Sequence, residues 1–331
     1  MKVIITDCDH ENIDIETKVL SDAGIEFKLT CARTEDEVIE QCAGADIFIV
    51  QYANISEKVM KALPELKYVV RYGVGVDTVD LKAAAEYGIQ VGNVPDYGMN
   101  EVADHALALL LMMLRKTDQM NRFTKTTGWD YTQSIPIRRF SEQTVGVVGL
   151  GRIGRNFAEK AAALGFRVIG YDPMVNQGER IGNAEAVSFE ELLKQSDAVS
   201  LHCPADGNQN LFDMEAFRVM KDSAVIVNAA RGGIINEEDL DRALKEKVIA
   251  GAALDCMKSE PMMTDSSIFE NENLIVTPHM AWYSEEAAME LKRKAAEEAV
   301  RFAKGEAIHY PVNRIEGGSQ SRSKVYGQSG F

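Results

Sequence analysis

The strongest constraint on this chain lies in its middle. Gly149-Leu150-Gly151-Arg152-Ile153-Gly154 directly follows the apolar run Thr144-Val145-Gly146-Val147-Val148. The run reads as a buried strand ending at Gly149, and a helical pattern from Arg155 to Leu164 begins after Gly154. A second strand, Arg167 to Tyr171, ends in Asp172. Strand, glycine turn, helix and strand in this order call for a βαβ unit of a parallel sheet. The first glycine permits the tight bend, the second lets backbone approach a pyrophosphate, and the third lets helix and strand pack closely. The helix N-terminus adds positive partial charge. Asp172, about 20 residues on, stands where a carboxylate would bind adenosine ribose hydroxyls. The same carboxylate would repel a 2′-phosphate, and Pro173-Met174-Val175-Asn176 offer no basic group. The motif therefore points to NAD rather than NADP. An ordinary strand-to-helix turn is the competing reading. The two strands, the helix and the terminal acid together weigh against it.

The 331 residues suffice for two domains with good cores. A formal net charge of −15 disfavours nucleic acid and anionic membrane surfaces as partners, since both are polyanions. The longest apolar run, Ala106 to Leu114, is far short of the roughly 20 residues of a membrane span. The chain opens directly in a strand, Val3 to Asp7, which argues against a leader peptide. Cys8, Cys31, Cys42, Cys203 and Cys256 form no CxxC pair and read as reduced thiols of a cytoplasmic protein. No HExxH or other metal-ligand spacing appears, so no metal is expected.

Residues 1 to about 95 alternate strands (Val3–Thr6, Phe27–Thr30, Asp46–Val50, Tyr68–Arg71, Gln90–Val94) with short helical patterns. An apolar helix, Glu101 to Arg115, opens a second region and leads through a polar stretch, 116–142, to the glycine turn. Further strands follow at Ala198–His202, Ala224–Asn228, Ile249–Ala253 and Leu274–Val276. A last amphipathic helix, Ser284 to Gly305, carries Glu and Lys on its expected exposed face and returns to cover the first domain. The expected fold class is α/β with two doubly wound parallel-sheet domains. A Rossmann NAD-binding domain (100–283) is inserted into a flavodoxin-like substrate domain (1–99 plus 284–315). Residues 316–331, rich in Gly, Ser and Gln, read as a disordered tail. Ligands of such sheets bind beyond strand C-termini, so two facing domains would make a cleft. Hinges are expected near 95–100 and 280–285.

Three charged residues stand beyond strand ends in the second half. Arg231, in Asn228-Ala229-Ala230-Arg231-Gly232-Gly233, reads as a carboxylate-binding fork in a tight turn or as a surface arginine before capping glycines. Glu260 follows Ala253-Leu254-Asp255, and His279 follows Thr277-Pro278. A carboxylate bonded to an imidazole raises its pKa and fixes its tautomer, which suits a proton donor near neutral pH. A solvated Glu and a structural His remain the plainer alternative.

Several motifs together resemble the D-isomer-specific 2-hydroxyacid dehydrogenase family over nearly the whole chain, to about residue 315. They are Arg71-Tyr72-Gly73-Val74-Gly75-Val76-Asp77, Val102-Ala103-Asp104-His105-Ala106-Leu107-Ala108-Leu109, the glycine turn with Asp172, Asn228-Ala229-Ala230-Arg231-Gly232, Ala253-Leu254-Asp255, Glu260-Pro261 and Thr277-Pro278-His279. The resemblance implies that Arg231 binds the substrate carboxylate and carbonyl, and that His279 is the acid/base paired with Glu260. It implies that the turn Tyr72, Gly73, Val74, Gly75 receives the substrate carboxylate. Asp255 matches the residue that holds the nicotinamide carboxamide. Cys203, Pro204, Asn210, Ala229, Ala230 and Val102 fall where the family contacts the cofactor, beside Gly149, Gly151, Arg152, Ile153 and Gly154. The segment 205–211 is about one residue short, which loosens the match at Asn210. Thr78 and Asp104 depart conservatively from the family's usual Asn and Glu. The run His279-Met280-Ala281-Trp282-Tyr283-Ser284 is similar to the C-terminal-binding-protein branch, NAD(H)-sensing co-repressors that retain the dehydrogenase site. Trp282 reads either as a wall for the substrate side chain or as a domain-contact residue. The expectation is a reductase of a small 2-keto acid such as hydroxypyruvate or glyoxylate. An NAD(H)-sensing binding protein and a phosphoglycerate dehydrogenase are the alternatives. Helix 101–115 and the polar arm after it are expected either at a homodimer contact, as in the family, or in the core of one chain.

Overall fold

The computed structural model describes residues 1–262 and 265–315, and the tail expected to be disordered lies outside the described residues. The chain packs as two compact units. Met1–Gly98 and the described residues from 284 on form the first, and Met99–Tyr283 forms the second.

The first unit alternates β1 (Lys2–Ile5), α1 (Asp14–Asp22), β2 (Glu26–Leu29), α2 (Glu35–Gln41), β3 (Ile47–Val50), α3 (Glu57–Ala62), β4 (Tyr68–Arg71), α4 (Leu81–Glu86) and β5 (Gln90–Gly92). Its sheet is parallel in the order β2-β1-β3-β4-β5, the flavodoxin-like arrangement. β3 is buried at every residue, as expected for a central parallel strand covered on both faces. Local signals start the helices. Thr34 and Glu37 form a capping box on α2, and Asp80 caps α4.

The second unit holds α5 (Met99–Arg115), α6 (Thr117–Thr126), β6 (Thr144–Val148), α7 (Arg152–Ala163), β7 (Arg167–Tyr171), β8 (Arg180–Ile181), β9 (Ala184–Ala186), α8 (Phe189–Gln195), β10 (Ala198–Leu201), α9 (Met214–Val219), β11 (Val225–Asn228), α10 (Glu237–Lys245), β12 (Gly251–Leu254) and β13 (Leu274–Val276). Its sheet order is β13-β12-β11-β10-β6-β7-β9-β8, parallel except for β8 against β9. The order reverses between β6 and β10, the switch point of a Rossmann sheet. Ala103, Ala106, Leu109 and Leu110 bury one face of α5 in this unit's core with Phe157 and Val227. The return helix α11 (Glu285–Ala303) packs on α1, β3 and β4 of the first unit.

The structure departs from the sequence expectation in several places, and it adds strands β8 and β9 and helices α8 to α10, which the sequence reading did not place. The polar stretch 116–142 contains α6 and two short 3-10 turns rather than a plain connection. α7 begins at Arg152, inside the glycine motif, because Gly151 already serves as its N-cap. Glu298 lies on the buried face of α11, not the exposed one. It falls seven residues after buried Leu291 and three after buried Ala295, so helical period overrides residue type. Its carboxylate accepts the His309 amide at 2.8 Å and lies 3.3 Å from the Arg301 guanidinium, yet burial pushes the carboxyl above its usual range.

Candidate functional site

At the glycine turn, Gly149 has φ +92°, and a Cβ there would lie 2.7 Å from the His202 carbonyl. A Cβ on Gly154 would lie 1.9 Å from the Gly149 oxygen. Both positions therefore exclude any larger residue. A Cβ on Gly151 would meet nothing within 4 Å, so the backbone there faces open space. Gly151 caps α7 without a side-chain hydrogen bond, which keeps the helix's N-terminal amides for an anion. Asp172, just past β7, takes the Leu150 amide on Oδ2 and the Met174 amide on Oδ1, both at 2.9 Å. The acid is thus tied to the glycine turn. An open second glycine, uncapped amides and a carboxylate at the next strand end fit a dinucleotide.

Of the other expected cofactor residues, Cys203 lies beside the glycine turn, its amide nitrogen 2.8 Å from where a Gly149 Cβ would stand. Cys203 and exposed Pro204 follow β10, and burial pushes the Cys203 thiol up to about 11. Asn210 adopts φ +54° and donates its amide to the Gly233 oxygen at 2.9 Å, beside the Arg231 turn. Ala230 donates its amide to Asn228 Oδ1 at 3.0 Å, and Ala229 is half-buried next to it. Val102 is half-buried on α5, Arg152 is exposed and Ile153 is half-buried.

Arg231, Asp255 and His279 follow β11, β12 and β13, three neighbours in the sheet, so all stand at one carboxyl edge. Asn228 Nδ2 holds the Arg231 carbonyl at 2.8 Å, and Arg231 Nη1 reaches the Ala230 oxygen at 2.7 Å. Gly232 lies so close to Met257 that a Cβ would sit 2.0 Å from the Met257 carbonyl carbon. Met257 in turn donates its amide to Glu260 Oε1 at 2.8 Å. Glu260 Oε2 meets His279 Nδ1 at 2.6 Å. Packing and hydrogen bonds thus connect the three expected residues. Burial alone would raise the Glu260 carboxyl. The bonds and charge of His279, with the Met257 amide, outweigh it and hold the group below its usual range. Both side chains remain partly exposed, His279 at 44% and Glu260 at 37%, so the imidazole is reachable. Trp282, half-buried, meets Tyr283 edge to face at 5.5 Å between ring centroids.

In the first unit the Tyr72 ring is buried and its hydroxyl donates to Glu16 Oε1 at 2.8 Å. The Tyr72 side chain thus points into the unit's interior rather than out of the turn. Gly73 has φ +129°, and its oxygen takes the Val94 amide at 3.0 Å. Val74 is exposed, with its oxygen bonded by Asn93 Nδ2 at 2.6 Å, and Gly75 is half-buried. Sequence reasoning passed over Arg71 as a site residue. Its guanidinium lies over this turn, with Nη1 1.9 Å from where a Gly73 Cβ would stand. A cation at a strand's carboxyl end was the available signal.

Residues 107–281, just over half of the chain, match the family model described as D-isomer specific 2-hydroxyacid dehydrogenase, NAD binding domain. The chain is 35% identical over 318 residues to a D-3-phosphoglycerate dehydrogenase of Archaeoglobus fulgidus, covering 95% of this chain and 59% of the relative. A Methanocaldococcus jannaschii protein of the same name is 35% identical over 317 residues, with the same coverage. The chain therefore spans about three-fifths of the length of these relatives. Among solved structures, a Thermus thermophilus protein aligns with TM-score 0.85 at 29% identity, covering 94% of this chain and all of that one. An Aquifex aeolicus D-lactate dehydrogenase, complexed with NAD and lactic acid, aligns at 0.83 and 27% identity, covering 92% of this chain and 96% of that one. The mid-chain glycine turn, the two mostly parallel sheets and these likenesses agree, and the chain belongs to the D-isomer-specific 2-hydroxyacid dehydrogenase family, with the family's NAD-binding domain over residues 107–281.

Proposed function

We propose that the protein is an NAD-dependent D-2-hydroxyacid dehydrogenase that reduces a small 2-keto acid, such as hydroxypyruvate or glyoxylate, or runs the reverse reaction. The carrying observation is the 2.6 Å His279–Glu260 pair at the sheet edge that also bears Arg231. In this reading residues 100–283 bind cofactor, and 1–99 with 284–315 bind substrate. Gly149, Gly151, Arg152, Ile153 and Gly154 hold the pyrophosphate, and Asp172 holds the adenosine ribose. Cys203, Pro204, Asn210, Val102, Ala229, Ala230 and Asp255 complete the cofactor contacts. A reduced nicotinamide held by these residues would supply the hydride chemistry for a 2-keto carbonyl. Arg231 orients the substrate and stabilises charge growing on the carbonyl oxygen. The Nδ1 of His279 is held by Glu260, which leaves Nε2 to deliver the proton to that oxygen. The carboxylate of Glu260 fixes the ring's orientation, with Nδ1 turned to the carboxylate. The main chain of the turn Tyr72, Gly73, Val74, Gly75, with Arg71, is the proposed receiver of the substrate carboxylate, and Trp282 a wall for its side chain.

One observation favours a second reading. The 35% identical relatives are named D-3-phosphoglycerate dehydrogenase. NADH oxidation with glyoxylate, hydroxypyruvate, pyruvate, bulkier 2-keto acids and the 2-keto form of 3-phosphoglycerate separates the two. Highest kcat/KM on the phosphorylated acid would transfer the assignment to the second reading. No turnover on any of these would overturn both.

A homodimer is the proposed assembly. Trp129, Tyr131 and Ile135, after α6, are exposed at 94%, 77% and 62%, and a second copy is the proposed cover. All five cysteines are unpaired, which supports a cytoplasmic location. Among the described residues no helix is long and apolar enough to cross a membrane.

A further inference from the structure

We infer that His105 is a positioning residue for His279, acting through Thr277 and Asp255. The inference rests on the reading of His279 as the acid/base.

His279 is a non-glycine residue at φ +53°, in the left-handed region that L-residues rarely occupy. Such a conformation persists only where its surroundings over-determine it. Here the surroundings converge on Asp255, which is buried. Its Oδ1 accepts the Met280 amide at 3.0 Å, and its Oδ2 accepts the Ala281 amide at 2.9 Å. One carboxylate thus clamps the two peptides that follow the strained residue. The preceding side is held as well. The His279 amide donates to the Thr277 oxygen at 3.0 Å, and the Thr277 hydroxyl donates to Asp255 Oδ1 at 2.6 Å.

His105, on α5, closes this network from the opposite side. Its Nε2 lies 3.0 Å from Thr277 Oγ1 and 3.4 Å from Asp255 Oδ1. The direction of these bonds follows from counting protons. Thr277 has a single hydroxyl proton, and an ionised Asp255 can only accept. With that proton given to Asp255, Thr277 Oγ1 must accept from His105, so Nε2 carries the hydrogen. The Nε2–H then serves both the hydroxyl and the carboxylate. Burial alone would raise the Asp255 carboxyl. The bonds from His105, Thr277 and the two amides outweigh it and keep the group below its usual range, in the ionised form that clamps best. His105 touches no reacting atom in this account. It holds the clamp that holds His279.

The test compares His105→Phe, which keeps a ring but removes the donor, with His105→Gln, whose amide N–H reaches the Nε2 position. His105→Phe is expected to lower kcat about 10- to 100-fold, the scale of a catalytic group displaced by about 1 Å. Because Asp255 also stands among the proposed cofactor contacts, the NADH dissociation constant, read by fluorescence titration, should rise modestly and far less than kcat falls, and His105→Gln should recover most of the lost kcat. If the phenylalanine variant does not fold, His105→Ala replaces it in the same comparison. A folded donor-less variant with wild-type kcat would overturn the inference. So would a glutamine variant no better than phenylalanine, or an NADH affinity that falls in step with kcat. His279→Gln is assayed alongside. Wild-type turnover in His279→Gln overturns the acid/base reading itself. An inactive His279→Gln beside a fully active His105→Phe overturns only the positioning role.

Discussion

His279 and Arg231 occupy different positions in the proposed reaction, and their variants should differ accordingly. His279→Ala removes the proton donor and should lower kcat about 100- to 10,000-fold with little change in KM. Arg231→Ala should raise KM and lower kcat together, because the fork acts on both bound substrate and developing charge. Steady-state kinetics on the best substrate of the panel distinguish the two patterns, and wild-type turnover in His279→Ala would sink the mechanism. A different residue, Glu16, controls stability with pH. Burial raises its carboxyl above the usual range, against the opposing bonds from its own backbone and Tyr72. The folded chain therefore keeps a proton that the unfolded chain has already lost. Stability falls as pH rises from the ordinary glutamate value, about 4.3, through the raised one. Glu16→Gln keeps an acceptor for Tyr72 and has no charge to bury. Its melting temperature relative to wild type should improve between pH 4 and pH 8, and a constant difference would refute the shift. Glu298 is raised in the same direction, whereas Glu260 is lowered and stabilises only above its folded value.

At the scale of elements, the glycine turn separates folding from binding within six residues. Gly154→Ala places a methyl against the Gly149 oxygen and should cost about 1–3 kcal/mol through forced backbone shift. Gly151→Ala meets only open space, so thermal melting should stay near wild type. It should nevertheless weaken NADH at least about tenfold, since the methyl stands where the pyrophosphate would approach. Calorimetry with NADH titration reads both effects, and normal NADH affinity in Gly151→Ala would move the phosphate elsewhere. The same scale shows which elements the sequence made legible. β4, β7 and β13 stand where their apolar runs place them. α8, α9 and α10, at 7, 6 and 9 residues, were not placed by the sequence reading, although α2, α3 and α4 are no longer and were. Their caps were readable nonetheless. Ser188 with Glu191, Asp213 and Asn236 each bond the first turn of their helix.

For the whole molecule, the exposed Trp129, Tyr131 and Ile135 make assembly testable. Light scattering should give twice the 36.6 kDa of one chain. Trp129→Glu combined with Ile135→Glu should shift the protein toward monomer, because two buried charges without partners oppose association. A monomeric wild type would reject the proposed contact. Local pattern by itself fixed the α/β class, the inserted dinucleotide turn and the candidates Arg231, Glu260 and His279. Glycine spacing, strand composition and strand-end position are properties of neighbouring residues, so a linear reading captures them. The tertiary structure decided what depends on distant residues meeting. It set Glu298 inside the first unit, turned the Tyr72 phenol onto Glu16, and brought His105 from α5 to Thr277, 172 positions away, behind the strained His279. No local signal carries such contacts, because they exist only once each unit has packed its helices onto its own sheet.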